Sequence, residues 1–186
     1  MMLWENWMKL QEKNSHMVRT YDNVLPNKLC ENLIKLFDSS KHREYVNNNH
    51  KPCFTQLNLN QYHGDFLSLL IPYVAKIYNQ YKTKFLPKLS SLEEFRIKKY
   101  MTTGDERFDE HVDVVNHATA KRAVAFLFYL NDNNGYTTFN NHDLNIEPKR
   151  GKVLVFPPTW EYPHSGLPPS DYPKYILSTY IHYGTN

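Results

Sequence analysis

The feature that most constrains this chain is a change of pattern at Leu92. Before it, apolar residues recur at helical spacing; after it, they fall in short runs separated by turn residues. The later runs are Glu94 to Met101, Arg122 to Leu130, Thr137 to Phe139, Asn145 to Glu147, Lys152 to Phe156 and Lys174 to His182. Asn131-Asp132-Asn133-Asn134-Gly135 is a strong turn between two of them. Short, evenly spaced strands behind a helical region predict a jelly-roll (double-stranded β-helix) or a barrel, flanked by helices. The 14 Tyr and 10 Phe suit such a sheet-rich core better than a helical bundle.

The first third reads as helical. Leu3, Trp4, Trp7 and Met8 form an amphipathic opening stripe, read as packing on the protein's own body or as a partner surface. A second helix is expected from near Pro26 through Leu29, Leu33, Ile34 and Phe37. A third spans Asp65 to about Tyr81 on Phe66, Leu69, Leu70, Tyr73, Val74, Ile77 and Tyr78, with Pro72 predicting a kink or break. Pro87 to Ser91 reads as a loop. No repeat or linker interrupts the 186 residues, so one domain is expected, 1–186, with helical support over about 1–90 and the jelly-roll core over about 92–183.

Charge and composition exclude some functions. A net charge of +3, scattered along the chain, gives no stripe for nucleic acid. No apolar run approaches the length of a membrane span. The opening Met1-Met2-Leu3-Trp4-Glu5-Asn6-Trp7 lacks the basic-then-apolar order of a secretory signal, so a soluble, cytoplasmic protein is expected. Cys30 and Cys53 lack metal-type spacing and read as free thiols.

The chemistry centres on Asp109-Glu110-His111-Val112-Asp113. On a strand, residues two apart share a face, so His111 and Asp113 can reach one metal together. An imidazole and a carboxylate on one face are two thirds of a facial triad for non-haem iron(II). Chance alone supplies about 0.4 such pairs in a chain of this composition, so the pair is weak by itself. His164 follows in Phe156-Pro157-Pro158-Thr159-Trp160-Glu161-Tyr162-Pro163-His164-Ser165-Gly166, and taken alone it is an exposed loop histidine. Lys174 opens the run Lys174-Tyr175-Ile176-Leu177-Ser178.

In this order of residues the chain resembles the prolyl 4-hydroxylase-like branch of the 2-oxoglutarate- and iron(II)-dependent oxygenases. In that family a His-x-Asp pair and a distal His bind iron, and a Lys or Arg about ten residues later pairs with the far carboxylate of 2-oxoglutarate. Further matches are Tyr100, Gly104 and Phe108 before the pair; Phe128-Tyr129-Leu130-Asn131; Gly135-Tyr136-Thr137-Thr138-Phe139; Pro148 and Gly151; and Tyr21 to Leu25 with Cys30 and Leu33-Ile34. The likeness covers roughly Val18 to Tyr183. Asn134 and Tyr136 depart from the family's Gly and Glu, and Val114 to Lys121 matches no substrate-specific pattern.

The resemblance implies iron held by His111, Asp113 and His164, with 2-oxoglutarate and dioxygen as cosubstrates and ascorbate as a candidate reductant. Lys174 would hold the far carboxylate, with Tyr100, Tyr129 and, more weakly, Ser178 as further 2-oxoglutarate contacts. A solvated Lys174 and core-packed tyrosines are the bland alternatives. Arg96 and Lys98 share the strand parity of Tyr100 and are candidates for the site mouth; Arg122 reads as a structural partner of an acidic residue; His117 and His142 read as surface residues. The loops Asn116 to Lys121 and Asn47 to Gln61 are expected to border the mouth. The implied reaction couples 2-oxoglutarate decarboxylation to hydroxylation, with peptidyl proline as leading acceptor. Alternatives are a small molecule such as a free amino acid, or a jelly-roll metal-binding module without turnover. Repair of alkylated nucleic acid is disfavoured by the near-neutral charge. Oligomeric state is not legible.

Overall fold

The computed structural model describes residues 17–49, 52–84, 86 and 88–184. Among these, two antiparallel sheets face each other as a jelly-roll. The larger sheet has eight strands: β1 (Arg19–Tyr21), β2 (Glu44–Asn47), β3 (Cys53–Asn58), β4 (Leu89–Leu92), β5 (Arg96–Tyr100), β7 (Arg122–Tyr129), β10 (Val153–Phe156) and β12 (Lys174–Tyr183). Their order is β1-β10-β7-β12-β5-β3-β2, with β4 also on β12. The smaller sheet runs β6-β11-β8-β9, from β6 (Phe108–His111), β8 (Thr137–Phe139), β9 (Leu144–Ile146) and β11 (His164–Gly166). Helices α1 (Asn27–Ser39), α2 (Leu59–Tyr62) and α3 (Asp65–Tyr81) complete the fold.

Strand parity separates two cores. Val124, Phe126 and Phe128 of β7, with Tyr175, Leu177 and Ile181 of β12, pack against Leu33 and Phe37 of α1 and Leu70, Val74 and Ile77 of α3. Ala125 and Tyr129 of β7, with Ile176 and Tyr180 of β12, point the other way, toward Phe139 of the smaller sheet. The central strand β12 is therefore buried on both faces, apart from its last residue. That explains its near-continuous apolar run, which would otherwise alternate.

The structure corrects several expectations. The first third is not only helical: β1, β2 and β3 lie there and extend the larger sheet, and Asn47 to Gln61 contains β3 and α2 in place of one loop. These strands are short and half-exposed, so no period marked them. Helix α3 does not break at Pro72 but runs unbroken from Asp65 to Tyr81. Pro72 and Ser68, whose carbonyl it leaves without an N–H, are both exposed, so water serves that carbonyl. Leu70, Val74, Ile77 and Tyr81 anchor the helix on both sides of the proline, offsetting a cost of about 3 kcal/mol. Leu69, expected to pack inward with them, is exposed. The expected loop Pro87 to Ser91 gives way to β4 from Leu89 on, because β5 pairs with β12 only as far as Ser178, and β4 takes over at Ile181 and Tyr183. Cys30 and Cys53 are buried free thiols. The opening stripe Leu3, Trp4, Trp7 and Met8 lies outside the described residues.

Candidate metal centre

His111 ends β6 and His164 begins β11, and the two are Cα partners across the pairing of these strands. Asp113 lies two residues past the end of β6, so the expected single strand through Asp113 stops at His111. The backbone N–H groups of Asp113 and Val114 donate to the Pro158 carbonyl at 3.2 and 3.0 Å, which ties this turn to the loop leading into His164. Ligand atoms of His111, Asp113 and His164 all lie within 4.8 Å of one another. His111 Nε2 is 3.6 Å from Asp113 Oδ1, and His164 Nε2 is 3.7 Å from Oδ2.

Backbone carbonyls set the tautomers. His111 Nδ1 lies 2.7 Å from the Asp109 carbonyl and His164 Nδ1 3.1 Å from that of Tyr162. A carbonyl only accepts, so each Nδ1 carries the hydrogen and each Nε2 presents its lone pair to the shared centre. Burial, reinforced by the nearby His111, outweighs the attraction of Asp113 and brings the His164 pKa down to about 4, leaving it neutral and able to ligate near neutral pH. Burial pushes Asp113 upward, but the neighbouring His111, His164 and Lys98 side chains hold its carboxyl well below the ordinary range. Two neutral imidazoles and one carboxylate on a common centre suit a divalent first-row metal such as iron(II).

Other residues support this set. Phe108 stacks flat on the His111 ring, centroids 3.3 Å apart. Arg122 grips both oxygens of Glu93 (Nε–Oε2 2.8 Å, Nη2–Oε1 2.6 Å) and donates from Nη1 to the Asp113 carbonyl at 2.9 Å. His182 Nε2 also meets Glu93, at 3.1 Å. Burial works to raise Glu93, but its bonds to Arg122 and His182 prevail and lower it to about 2. Arg122 is thus structural, as expected, and it also fixes a ligand's backbone. Tyr180, on the parity shared with Lys174, lines the cleft beside Asp113.

Between the sheets lies a cleft with about 410 Å³ clear of protein atoms, part of it open to solvent. The larger sheet lines it with Lys98, Tyr100, Leu127, Ile176 and Tyr180, and the smaller with Phe108, His111, Thr137, His164 and Gly166; Asp113 stands among them. Lys174 is fully buried, with Nζ donating to the carbonyls of Gly135 (2.9 Å) and Leu167 (2.7 Å) and lying 4.5 Å from the centre of the Tyr100 ring. Burial lowers its pKa to about 7. Gly135 allows this approach, because a Cβ there would come within 2.8 Å of the Leu167 carbonyl. An ammonium so desolvated calls for an anion, and a ligand carboxylate is the natural one.

The cosubstrate candidates separate here. Tyr100 lines the cleft beside Lys174. Tyr129 is buried and donates to Thr137 Oγ1 at 2.8 Å, so Thr137 stands at the wall and Tyr129 behind it. Ser178 shares the face but donates weakly to the Arg96 carbonyl, 3.4 Å away, and is not among the lining residues. Of the strand-parity pair, Lys98 lines the cleft, while Arg96 pairs with Glu94. Lys98 falls to about 8 because burial outweighs Asp113. His117 is exposed, and His142 is half-buried, with Nε2 2.9 Å from the Glu161 carbonyl. The sequence did not single out Thr137 or the grip of Arg122 on Asp113, because nothing local signals contact with a residue elsewhere in the chain.

The family model described as 2OG-Fe(II) oxygenase superfamily matches residues 95–182. No curated protein sequence matches the chain. Solved structures share its fold. The viral collagen prolyl hydroxylase of Paramecium Bursaria Chlorella virus-1, in a 2OG complex, is 18% identical with a TM-score of 0.72, covering 92% of this chain and 99% of its own. A Trichoplax adhaerens prolyl hydroxylase in complex with a hypoxia inducible factor peptide is 15% identical, with a TM-score of 0.75 and coverages of 95% and 92%. A Pseudomonas putida prolyl-4-hydroxylase is 17% identical, with a TM-score of 0.73 and coverages of 94% and 97%. No helix among the described residues is long and apolar enough to cross a membrane. Residues 95–182 thus resemble the 2OG-Fe(II) oxygenase superfamily, and the chain shares the fold of solved prolyl hydroxylases.

Proposed function

We propose that this protein couples oxidative decarboxylation of 2-oxoglutarate to hydroxylation of a peptidyl proline, with His111, Asp113 and His164 as the iron(II) ligands. One observation carries the reading: His111, Asp113 and His164 converge in one cleft between two sheets, and the fully buried Lys174 ammonium lies just behind its Tyr100 and Gly166 lining. When bound, iron(II) with 2-oxoglutarate would let dioxygen act as the oxidant, one oxygen atom entering succinate as carbon dioxide leaves and the other entering the acceptor. The chain's own part is positioning. The carbonyls of Asp109 and Tyr162 hold the imidazoles in the ligating tautomer, and Arg122 holds the Asp113 backbone. Lys174 would bind the far carboxylate of 2-oxoglutarate, with Tyr100 against it and Thr137, backed by Tyr129, at the wall. Ile176, Leu127 and Phe108 would keep water from the reacting centre.

The proline acceptor rests on the company the fold keeps, since three similar structures are prolyl hydroxylases. The test is mass spectrometry on a panel of proline-containing peptides and free amino acids, incubated with iron(II), 2-oxoglutarate and the protein, with and without ascorbate. A gain of about 16 Da on a peptide proline supports the reading, as one oxygen atom is delivered. A gain on free amino acids alone would replace the acceptor and keep the reaction. Ascorbate belongs to the proposal as a reductant that sustains turnover; unchanged turnover without it removes it.

A further inference from the structure

Resting on the oxygenase reading above, we infer that Lys98 selects an acceptor bearing a carboxylate close to the carbon that reacts. Lys98 stands on β5 opposite Ile176 of β12, one same-face step from Tyr100, which pairs with Lys174. It lines the cleft together with Asp113, Leu127 and Tyr180. Its aliphatic stem and ammonium lie against Phe54, Nζ 5.2 Å from the ring centre, so the side chain is held in place and not swinging in solvent.

The charges around it are otherwise matched. Arg122 is paired with Glu93, and Arg96 with Glu94. Among the described residues no carboxylate lies within 4.0 Å of the Lys98 ammonium. A divalent metal against the Asp113 carboxylate leaves one positive charge, Lys174 adds a second, and the 2-oxoglutarate dianion cancels both. Lys98 is the surplus cation, set on the larger-sheet wall across the cleft from His111 and His164. A cation kept in a largely apolar cleft is costly unless an anion joins it. The cosubstrate already has its two anchors, so the anion comes with the acceptor. The shared chemistry is a carboxylate, supplied by an acidic residue flanking a peptide proline or by a free amino acid itself.

The experiment compares each acid with its neutral twin. One pair is a proline peptide with a flanking Glu against the same peptide with Gln; the other is L-proline against L-prolinamide. Hydroxylation is followed by mass, and binding by calorimetry on zinc-loaded protein with N-oxalylglycine in place of 2-oxoglutarate. In the wild type one acidic member is favoured at least tenfold over its twin, and which pair shows the preference identifies the source of the carboxylate. In Lys98→Met the ratio collapses to within twofold, Lys98→Arg restores part of it, and Lys98→Glu shifts the peptide preference toward a flanking lysine. Equal use of both twins by the wild type, or a ratio kept in Lys98→Met, overturns the inference. A binding ratio that depends on Lys98, without any succinate formed from 2-oxoglutarate, would sink the oxygenase reading and leave the carboxylate site standing.

Discussion

Replacing Lys174 by methionine keeps its length and removes its charge, which makes two linked outcomes predictable. An ammonium whose pKa falls from 10.5 to about 7 costs the folded state about 5 kcal/mol when charged. The carbonyls of Gly135 and Leu167 offset part of this, at about 1.5–3 kcal/mol for each hydrogen bond to a charged group. The first outcome concerns 2-oxoglutarate. Removing one partner of a buried pair costs about 3–5 kcal/mol, so Lys174→Met raises the concentration of 2-oxoglutarate needed by about 10²-fold to several thousandfold. Succinate formation against 2-oxoglutarate concentration, with calorimetry of N-oxalylglycine, measures it. The second concerns pH. The unfolded chain keeps the Lys174 proton up to about 10.5 and the folded chain releases it above about 7, so across that window the unfolded state binds more protons and stability rises with pH. The ligand-free wild type should gain about 1 to 4 kcal/mol between pH 7 and 10 relative to Lys174→Met, read by urea unfolding at each pH. Below pH 7 both states hold the proton and this difference stops changing. A 2-oxoglutarate requirement within threefold of wild type would refute the role given to Lys174, and parallel pH profiles would refute its burial as an ammonium short of charge compensation.

Other perturbations separate ligands from their supports. His111→Ala or Asp113→Ala should abolish tight metal binding and turnover while leaving the circular dichroism of the fold intact; metal binding at wild-type strength in either variant contradicts the ligand assignment. Arg122→Leu removes the hold on the Asp113 carbonyl and strands Glu93 beside His182, so metal affinity should fall about 10–100-fold with the three ligands still present; an unchanged dissociation constant would make that hydrogen bond incidental. N-oxalylglycine should compete with 2-oxoglutarate, and non-competitive inhibition would place the two at different sites.

How much of this the sequence carried depends on range. The helix over Asp65 to Tyr81 was legible because it buries one face through a strong local period, and the strand Thr137 to Phe139 because β-branched and aromatic residues follow the Asn131 to Gly135 turn. The pair His111 and Asp113 was legible as two residues, but its weight came from the order of motifs around it, not from spacing alone. Strands β2 and β4 were not legible: each has only four residues, half of them or more exposed, and exists because a longer neighbour offers an unpaired edge. The support shell was hidden for the same reason. Arg122, Glu93 and His182 come from three separate segments, and only the pairing of β7 with β12, with Glu93 bonded beside them, brings them under Asp113. Lys98 sits between these cases, since parity placed it on the right face while only the folded cleft shows it among matched charges.

The central claim is that three ligands and a buried lysine make this cleft a 2-oxoglutarate-consuming centre. Succinate formed from 2-oxoglutarate by the iron(II)-loaded wild type, set against His164→Ala under the same conditions, tests it most directly. The account predicts iron-dependent succinate from the wild type and none from the variant; equal succinate from both, or none from a folded, iron-loaded wild type with every acceptor offered, would contradict it.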